Sequence, residues 1–299
     1  KKSYSFGTLN FNLKGSILHD RLSINGNSNV WGGKIDLTNI SKKDQIFFKK
    51  KNIHFKKISY KETGTVSNNQ NIHQIQNYNG RIFQITDLPL KINNGYLISF
   101  FCSKKKIFLK INHHRYKKHK IISADNLFLC VGSVQLLDIL YRSKYIKHGD
   151  RIEFTEFNHE FKLRSIYSKF EKNVTTVRYH CSRALGHYLG IQFYSIFLKI
   201  FKFVPLCIDQ IFYYKKQKLQ LIVQNKNIVE KKSRSRTNKF GSSIHYCNLK
   251  INNININKFL SNINSNIYGV GTSYINQKKP GPICNEIIID AKKKCKKLI

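Results

Sequence analysis

Lys120-Ile121-Ile122-Ser123-Ala124-Asp125-Asn126-Leu127-Phe128-Leu129-Cys130-Val131-Gly132-Ser133 runs from an exposed strand through a turn into a fully apolar strand, and stops at Gly-Ser. Val134, Leu136, Leu137, Ile139 and Leu140 follow at once with helical spacing. An apolar strand feeding a helix through small residues is a strand-to-helix crossover, the unit from which α/β proteins are built. It also leaves backbone N–H groups unpaired at the helix N-terminus, where an anionic or carbonyl-rich ligand edge can sit. Any crossover in an α/β protein has the same pattern, so its neighbours decide what it means.

Upstream the chain reads as β. Arg81-Ile82-Phe83-Gln84-Ile85, Tyr96–Cys102 and Lys106–Ile111 are rich in β-branched and aromatic residues. Ser103-Lys104-Lys105 joins the last two as a hairpin, so an antiparallel meander is expected to precede the crossover. Residues 1 to about 45 read as loop-rich, with Gly7, Gly15, Gly26, Gly32 and Gly33 between short apolar pieces. Within them, Asn25-Gly26-Asn27-Ser28-Asn29-Val30-Trp31-Gly32-Gly33 holds the only tryptophan. Glycine and asparagine tolerate positive φ, and glycine lets the backbone approach a flat ligand with its N–H groups exposed. The same stretch also suits an ordinary surface turn beside a buried indole.

This loop resembles the small-residue and Trp-Gly-Gly loop that lies along the flavin in the glucose-methanol-choline (GMC) oxidoreductases, with Asn25 in place of the first glycine. Ala124 to Leu140 is similar to that family's closing strand and Leu-Leu helix, with Cys130-Val131 where two alanines are usual. The order is the family's as well: Trp-Gly-Gly loop, lysine-rich meander, then strand and helix. The resemblance implies an α/β (α+β) protein. Its FAD-binding domain would be of the two-dinucleotide-binding type, incomplete, beside a second, sheet-containing substrate domain. The implied division is a partial FAD-binding domain over 1–150, a substrate domain over 151–265 and a return to the first domain over 266–299. The implied cofactor is FAD, held by Gly26, Asn27, Ser28, Asn29, Trp31, Gly32, Gly33, Gly132 and Ser133. The implied substrate is a small-molecule alcohol or sugar hydroxyl, oxidised by hydride transfer to the flavin, with an electron acceptor that the residues do not identify. No metal is implied.

Late in the chain, Tyr268-Gly269-Val270-Gly271-Thr272-Ser273 matches the family's His-x-x-Gly-Thr stretch, with tyrosine where the catalytic histidine is expected. Tyr268 and Thr272 are the implied catalytic or substrate-orienting residues. A free phenol titrates near ~10 and is a poor base at neutral pH, so Tyr268 suits orienting a hydroxyl, or packing in a relative that has lost activity. Gly281–Asp290 matches the segment that leads into the family's final flavin-contacting strand. Neither the Gly-x-Gly-x-x-Gly fingerprint for the adenosine half of FAD nor the family's last C-terminal motif has a counterpart. Together with the lack of any methionine, this suggests a reading that starts inside a longer frame.

Between these motifs, Asn158-His159 matches a turn at which the family leaves its cofactor domain, and is given no chemical role. Residues 188–213 form an apolar run broken by Lys199, Lys202, Pro205 and Asp209, too broken for a membrane span. A buried helix of the substrate domain is expected there, with a surface-seeking helix as the alternative. Lys218–Gln224 and Ile244–Ile251 read as strands, Lys231–Arg236 as an exposed basic loop, and Asn253–Ile267 as a helix.

The formal net charge of +37 over 299 residues resembles a nucleic-acid signature. We discount nucleic acid, because lysine greatly outnumbers arginine and spreads over almost every segment together with an excess of Asn and Ile. A noncatalytic basic binding protein for nucleic acid or anionic surfaces, or an inactive GMC relative, is the alternative to an enzyme. The seven cysteines are widely spaced and odd in number, without a Cys-x-x-Cys pair, which argues against a disulfide framework or zinc ribbon. Cys130, within an apolar run, reads as a small buried hydrophobe. A cytoplasmic setting is expected, with peripheral membrane contact through the 188–213 run or the basic loop, since no signal-peptide run follows Lys1.

Overall fold

The computed structural model describes residues 2–13, 33–58, 65–69, 71–84, 87–88, 95–103, 106–113, 119–165, 168–172, 174–180, 206–231, 246–276 and 284–296. These residues form a mixed α/β structure of several sheets and, among the described residues, four α-helices.

The largest sheet is built around two long strands. β11 (Arg151–Ser165) and β13 (Leu206–Gln224) pair antiparallel along their lengths, with a register shift between Glu156 and Asn158. The free edge of β13 is shared: β12 (Thr175–His180) pairs with its first half, and β14 (Asn227–Glu230) with its second. β12 in turn carries β5 (Thr65–Ser67). On the other side of β11 lie β15 (Tyr246–Ile251) and β16 (Ile254–Asn255). Burial alternates strictly along the end of β13, with Leu219, Leu221 and Val223 buried and Lys218, Gln220 and Gln224 exposed. That period of two is the signature of a half-buried strand. The helix expected over 188–213 is therefore replaced by strand from Leu206 onward, while 181–205 lie outside the described residues. An apolar run has no periodicity that separates a buried helix from a buried strand, and ladder partners on both edges decide it here. Asn158-His159 lies mid-strand in β11, opposite Tyr213 and Phe212, and not in a turn.

The N-terminus is a hairpin where loop was expected. β1 (Lys2–Phe6) and β2 (Leu9–Leu13) pair antiparallel about Gly7-Thr8, and β2 joins β14 in parallel. Leu9 and Phe11, two residues apart, are fully buried, a short alternation that the surrounding glycines obscure in the sequence. Gly7 has φ +61, and the Thr8 N–H donates to Asp138 Oδ1 at 2.7 Å. A Cβ at Gly7 would fall 2.3 Å from Asp138 Oδ2. Replacing Gly7 with alanine forces both a left-handed L-residue and a displaced carboxylate, so we expect a loss of about 1–3 kcal/mol. Urea denaturation measures it, and a loss below about half a kcal/mol would show that the turn is not held against Asp138.

Asp138 belongs to α2 (Ser133–Arg142), the helix read from the sequence. Leu136, Leu137, Ile139 and Leu140 are all at most 2% exposed, so this helix is covered almost all round. At roughly 1.5–3 kcal/mol for each large apolar side chain buried, packing and not propensity holds it. Arg142 Nε lies 2.9 Å from Asp138 Oδ2, compensating the buried carboxylate one turn away.

The expected meander is present as β7 (Gly95–Ser103), β8 (Lys106–His113) and β9 (His119–Ala124), with Ser103 opposite Lys106 at the hairpin. Arg81–Gln84 is not one of its strands. A turn over Asn77–Gly80 and a single bridge, Gln76 to Ile82, replace it, and Ile85 lies outside the described residues. The Asn77 side chain accepts from the N–H groups of Asn79 and Arg81, which closes the chain into a turn before a ladder can extend.

A third unit carries a sheet in the order β3 (Lys34–Asp36), β6 (Ile72–Gln76), β4 (His54–Lys57), covered by α1 (Lys42–Lys50) and α4 (Cys284–Cys295). Ile35, Ile40, Ile53 and Ile75 form its core, with Ile288 and Ile289 of α4 packed against it. The segment expected to lead toward a flavin-contacting strand is thus a helix over Cys284–Cys295. Glu286 in its first turn and Lys292, Lys293 and Lys294 in its last suit the helix dipole, which offsets the strand preference of Ile287-Ile288-Ile289. Among the described residues no helix is long and apolar enough to cross a membrane.

Candidate functional site

Two segments read separately from the sequence adjoin in space. β10 (Leu127–Leu129) ends just before α2, and it pairs in parallel with β17 (Ile267–Gly269): Leu127 with Ile267, Phe128 with Tyr268, Leu129 with Gly269. The ladder continues as the Val270 N–H donates to the Leu129 carbonyl at 3.0 Å. One face of this ribbon, Leu127, Leu129, Ile267 and Gly269, is buried in the main core. On the other face the half-buried rings of Phe128 and Tyr268 stack at 5.0 Å and 23°.

Beyond the ribbon the chain turns twice. Gly132 is the N-cap of α2 and offers no side chain to its first N–H groups. Thr272–Tyr274 forms a 3-10 turn entered through Gly271 at φ +131. The hydroxyls of Ser133 and Ser273, both buried, meet at 2.5 Å across 140 residues of sequence. Tyr274 packs its ring into the space a Cβ would occupy on Gly269, with ring carbons 1.9 and 2.0 Å from that position. Among the described residues its buried hydroxyl meets no hydrogen-bond partner. Burial, with the nearby Cys130 second, pushes this phenol well above its usual range, so Tyr274 stays protonated and serves no base at neutral pH.

Lys294 closes the underside. Its ammonium donates to the Gly269 carbonyl, to Asn257 Oδ1 at 3.0 Å and to Asp290 Oδ2 at 2.7 Å. Asn257 lies in α3 (Ile256–Ile263), which starts on an Asn255 cap and buries Ile256 and Leu260, as expected for the centre of 253–267. Lys294 therefore uses its three N–H bonds inside the protein, tying α4 and α3 to β17. Neither Lys294 nor Tyr274 stood out in the sequence, because one sits in a lysine run and the other beside the motif that drew attention.

The predicted residues separate into groups. Gly132, Ser133, Tyr268 and Thr272 come together at the β10–β17 end. Gly33, at φ +63, lies in the third unit, where its carbonyl accepts from the Ile75 N–H at 2.6 Å and Ile82 covers its α-carbon. α4 reaches both places, through Ile288 and Ile289 on one side and Lys294 on the other. Gly26, Asn27, Ser28, Asn29, Trp31 and Gly32 lie outside the described residues. Cys130 is an exposed free thiol and not a core residue, because the buried alternation ends at Leu129. Among the described residues no three His, Cys, Asp or Glu side chains gather as metal ligands.

The groups left at the start of α2 are backbone N–H donors at the positive end of a helix, with hydroxyls nearby. That donor set suits an anionic or carbonyl-rich edge, such as a phosphate or the pyrimidine edge of a flavin, and does not suit a cation. Comparison of the chain with family models, with curated proteins and with solved structures gives no match in any of the three.

Proposed function

We propose that this chain is a flavin-dependent oxidoreductase of GMC type, or a piece of one, acting on an alcohol or sugar hydroxyl. What supports the reading is the parallel pairing of β10 with β17. It brings the Gly132-Ser133 turn and the Tyr268-to-Thr272 segment to one end of one ribbon, although they are more than 130 residues apart. The resemblance puts the flavin at Gly132-Ser133 and the substrate at Tyr268 and Thr272, and hydride transfer between the two requires those places to adjoin.

The N–H groups at the start of α2 would hold the oxygen-bearing edge of FAD, with the loop of Gly26, Asn27, Ser28, Asn29, Trp31 and Gly32 as further contacts. When bound, the flavin supplies the hydride acceptor. Thr272 and Tyr268 would orient the substrate hydroxyl. The Ser133–Ser273 pair fixes the α2 terminus against the 3-10 turn, so that both sides of the site keep one spacing.

Titration of the full chain with FAD, followed by flavin fluorescence and by retention of the yellow chromophore on gel filtration, tests this. We expect saturable binding, weakened about tenfold or more by Trp31→Ala at a small cost in stability, because a flat ligand stacks on an indole. Absence of any flavin retention would remove the proposal. Equal losses of binding and stability in Trp31→Ala would make Trp31 a core residue instead.

A further inference from the structure

We propose that the outward face of α1 docks this protein on an anionic lipid bilayer. The helix reads Lys42-Lys43-Asp44-Gln45-Ile46-Phe47-Phe48-Lys49-Lys50, and none of its residues is fully buried. Lys43, Ile46, Phe47 and Lys50 follow the i, i+3, i+4, i+7 spacing that puts them on one face. All four are exposed, Ile46 at 57% and Phe47 at 56%. Two large apolar side chains thus stand side by side between two lysines, with Lys42, Lys49 and Lys51 exposed around them.

The opposite side of α1 does the structural work. Phe48, half-buried, meets the Phe55 ring of β4 edge to face at 5.7 Å. Asp44, the one acid of the helix, caps its start with Ser41 and pairs with Lys292 of α4. Hydrogen bonds from Lys292 and Ser41 hold its carboxyl below the usual range, and Lys296 adds to this. So the acid is used up on the inner side, and the same contact brings the exposed Lys292 and Lys296 alongside α1. The surface presented outward is cationic with an apolar centre.

Charge fixes the class of partner and the apolar pair fixes its kind. Lysines alone would serve a phosphate backbone and the Phe47 ring could stack a base, but Ile46 beside it adds a branched apolar side chain for which a nucleic-acid strand has no use. An acyl boundary beneath anionic headgroups takes both features, apolar side chains below and ammonium groups at headgroup level. This is independent of the flavin reading and would hold for a chain without a cofactor.

The test is co-sedimentation of the full chain with phosphatidylcholine vesicles, with and without phosphatidylserine. We expect binding only where phosphatidylserine is present. The double variant Ile46→Ser/Phe47→Ser should weaken it about tenfold or more, with an unchanged circular dichroism spectrum, since neither side chain is in the core. Lys43→Ala/Lys50→Ala, which cannot unfold the helix, should weaken it as well and flatten its salt dependence. The proposal falls if the chain ignores phosphatidylserine, or if either folded variant binds as the parent does. It also falls if the serine variant loses polyuridine binding to the same degree, which would assign the face to nucleic acid.

Discussion

Asp209→Ala is expected to cost about 3–5 kcal/mol of folding stability, the largest loss from any single side chain described here. Asp209 is fully buried on β13, and its register partner on β12, Arg178, is 4% exposed. Arg178 Nε donates to Oδ1 at 2.8 Å and an η nitrogen to Oδ2 at 3.1 Å, in a bidentate pair. The other η nitrogen donates to the Ser168 carbonyl at 2.6 Å, and the guanidinium lies 4.4 Å from the Phe170 ring centre. Removing the carboxylate takes the bidentate counter-charge from a buried guanidinium, and breaking a buried pair from one side carries a large penalty. A domain stable by about 5–15 kcal/mol loses roughly a fifth or more of that, so Asp209→Ala is expected to enrich in the insoluble fraction at physiological temperature. Asp209→Asn keeps the shape and some hydrogen bonding, and makes the loss measurable by urea denaturation. Arg178→Met/Asp209→Leu should recover most of it, since a matched apolar pair carries no desolvation cost. If Asp209→Asn were as stable as the parent, the pair would not be what fastens β12 to β13.

Gly269→Ala is expected to destabilise by about 1–3 kcal/mol or more and, on the flavin reading proposed above, to abolish FAD binding. The backbone of Gly269 lies in an ordinary strand, so the cost is steric and not conformational: the new Cβ would lie 1.9 Å from the Tyr274 ring. That ring has nowhere to go, being 2% exposed and continuous with the main core. The strand must therefore shift and, with it, the spacing between β17, the 3-10 turn and the start of α2. Thermal unfolding and FAD titration of the same sample read both effects. Gly269→Ala/Tyr274→Leu should restore stability if the overlap is the cause. Restored stability without restored flavin binding would separate the role of Tyr274 in packing from its role at the site. No change in either quantity would remove the close approach from the account.

Local patterns carried as far as local physics does. The Ser103–Lys106 hairpin, the apolar β10 strand, α2, the β15 strand and the centre of α3 each have a period or a cap that acts within a few residues. Tyr268 and Thr272 were legible because glycines mark a turn wherever they fall. The first part of Leu206–Gln224 suits a helix as well as a strand because nothing within the run fixes its period, and β11 and β12 decide it from outside. Ile287-Ile288-Ile289 reads as strand by propensity, yet it is helical because the Asp290–Lys294 pair and the packing of Ile288 and Ile289 on the core of Ile35, Ile40, Ile53 and Ile75 outweigh that preference.

By itself the sequence determined a mixed α/β chain with a meander, a strand-to-helix crossover and a strongly cationic surface, since composition and short-range periodicity suffice for these. Only the tertiary structure decided that Gly132-Ser133 meets Thr272-Ser273, that Asp209 faces Arg178, and that Ile46 and Phe47 stay uncovered. Each depends on which distant segments pair, and pairing is set by the summed burial of both partners, which no window of one of them contains.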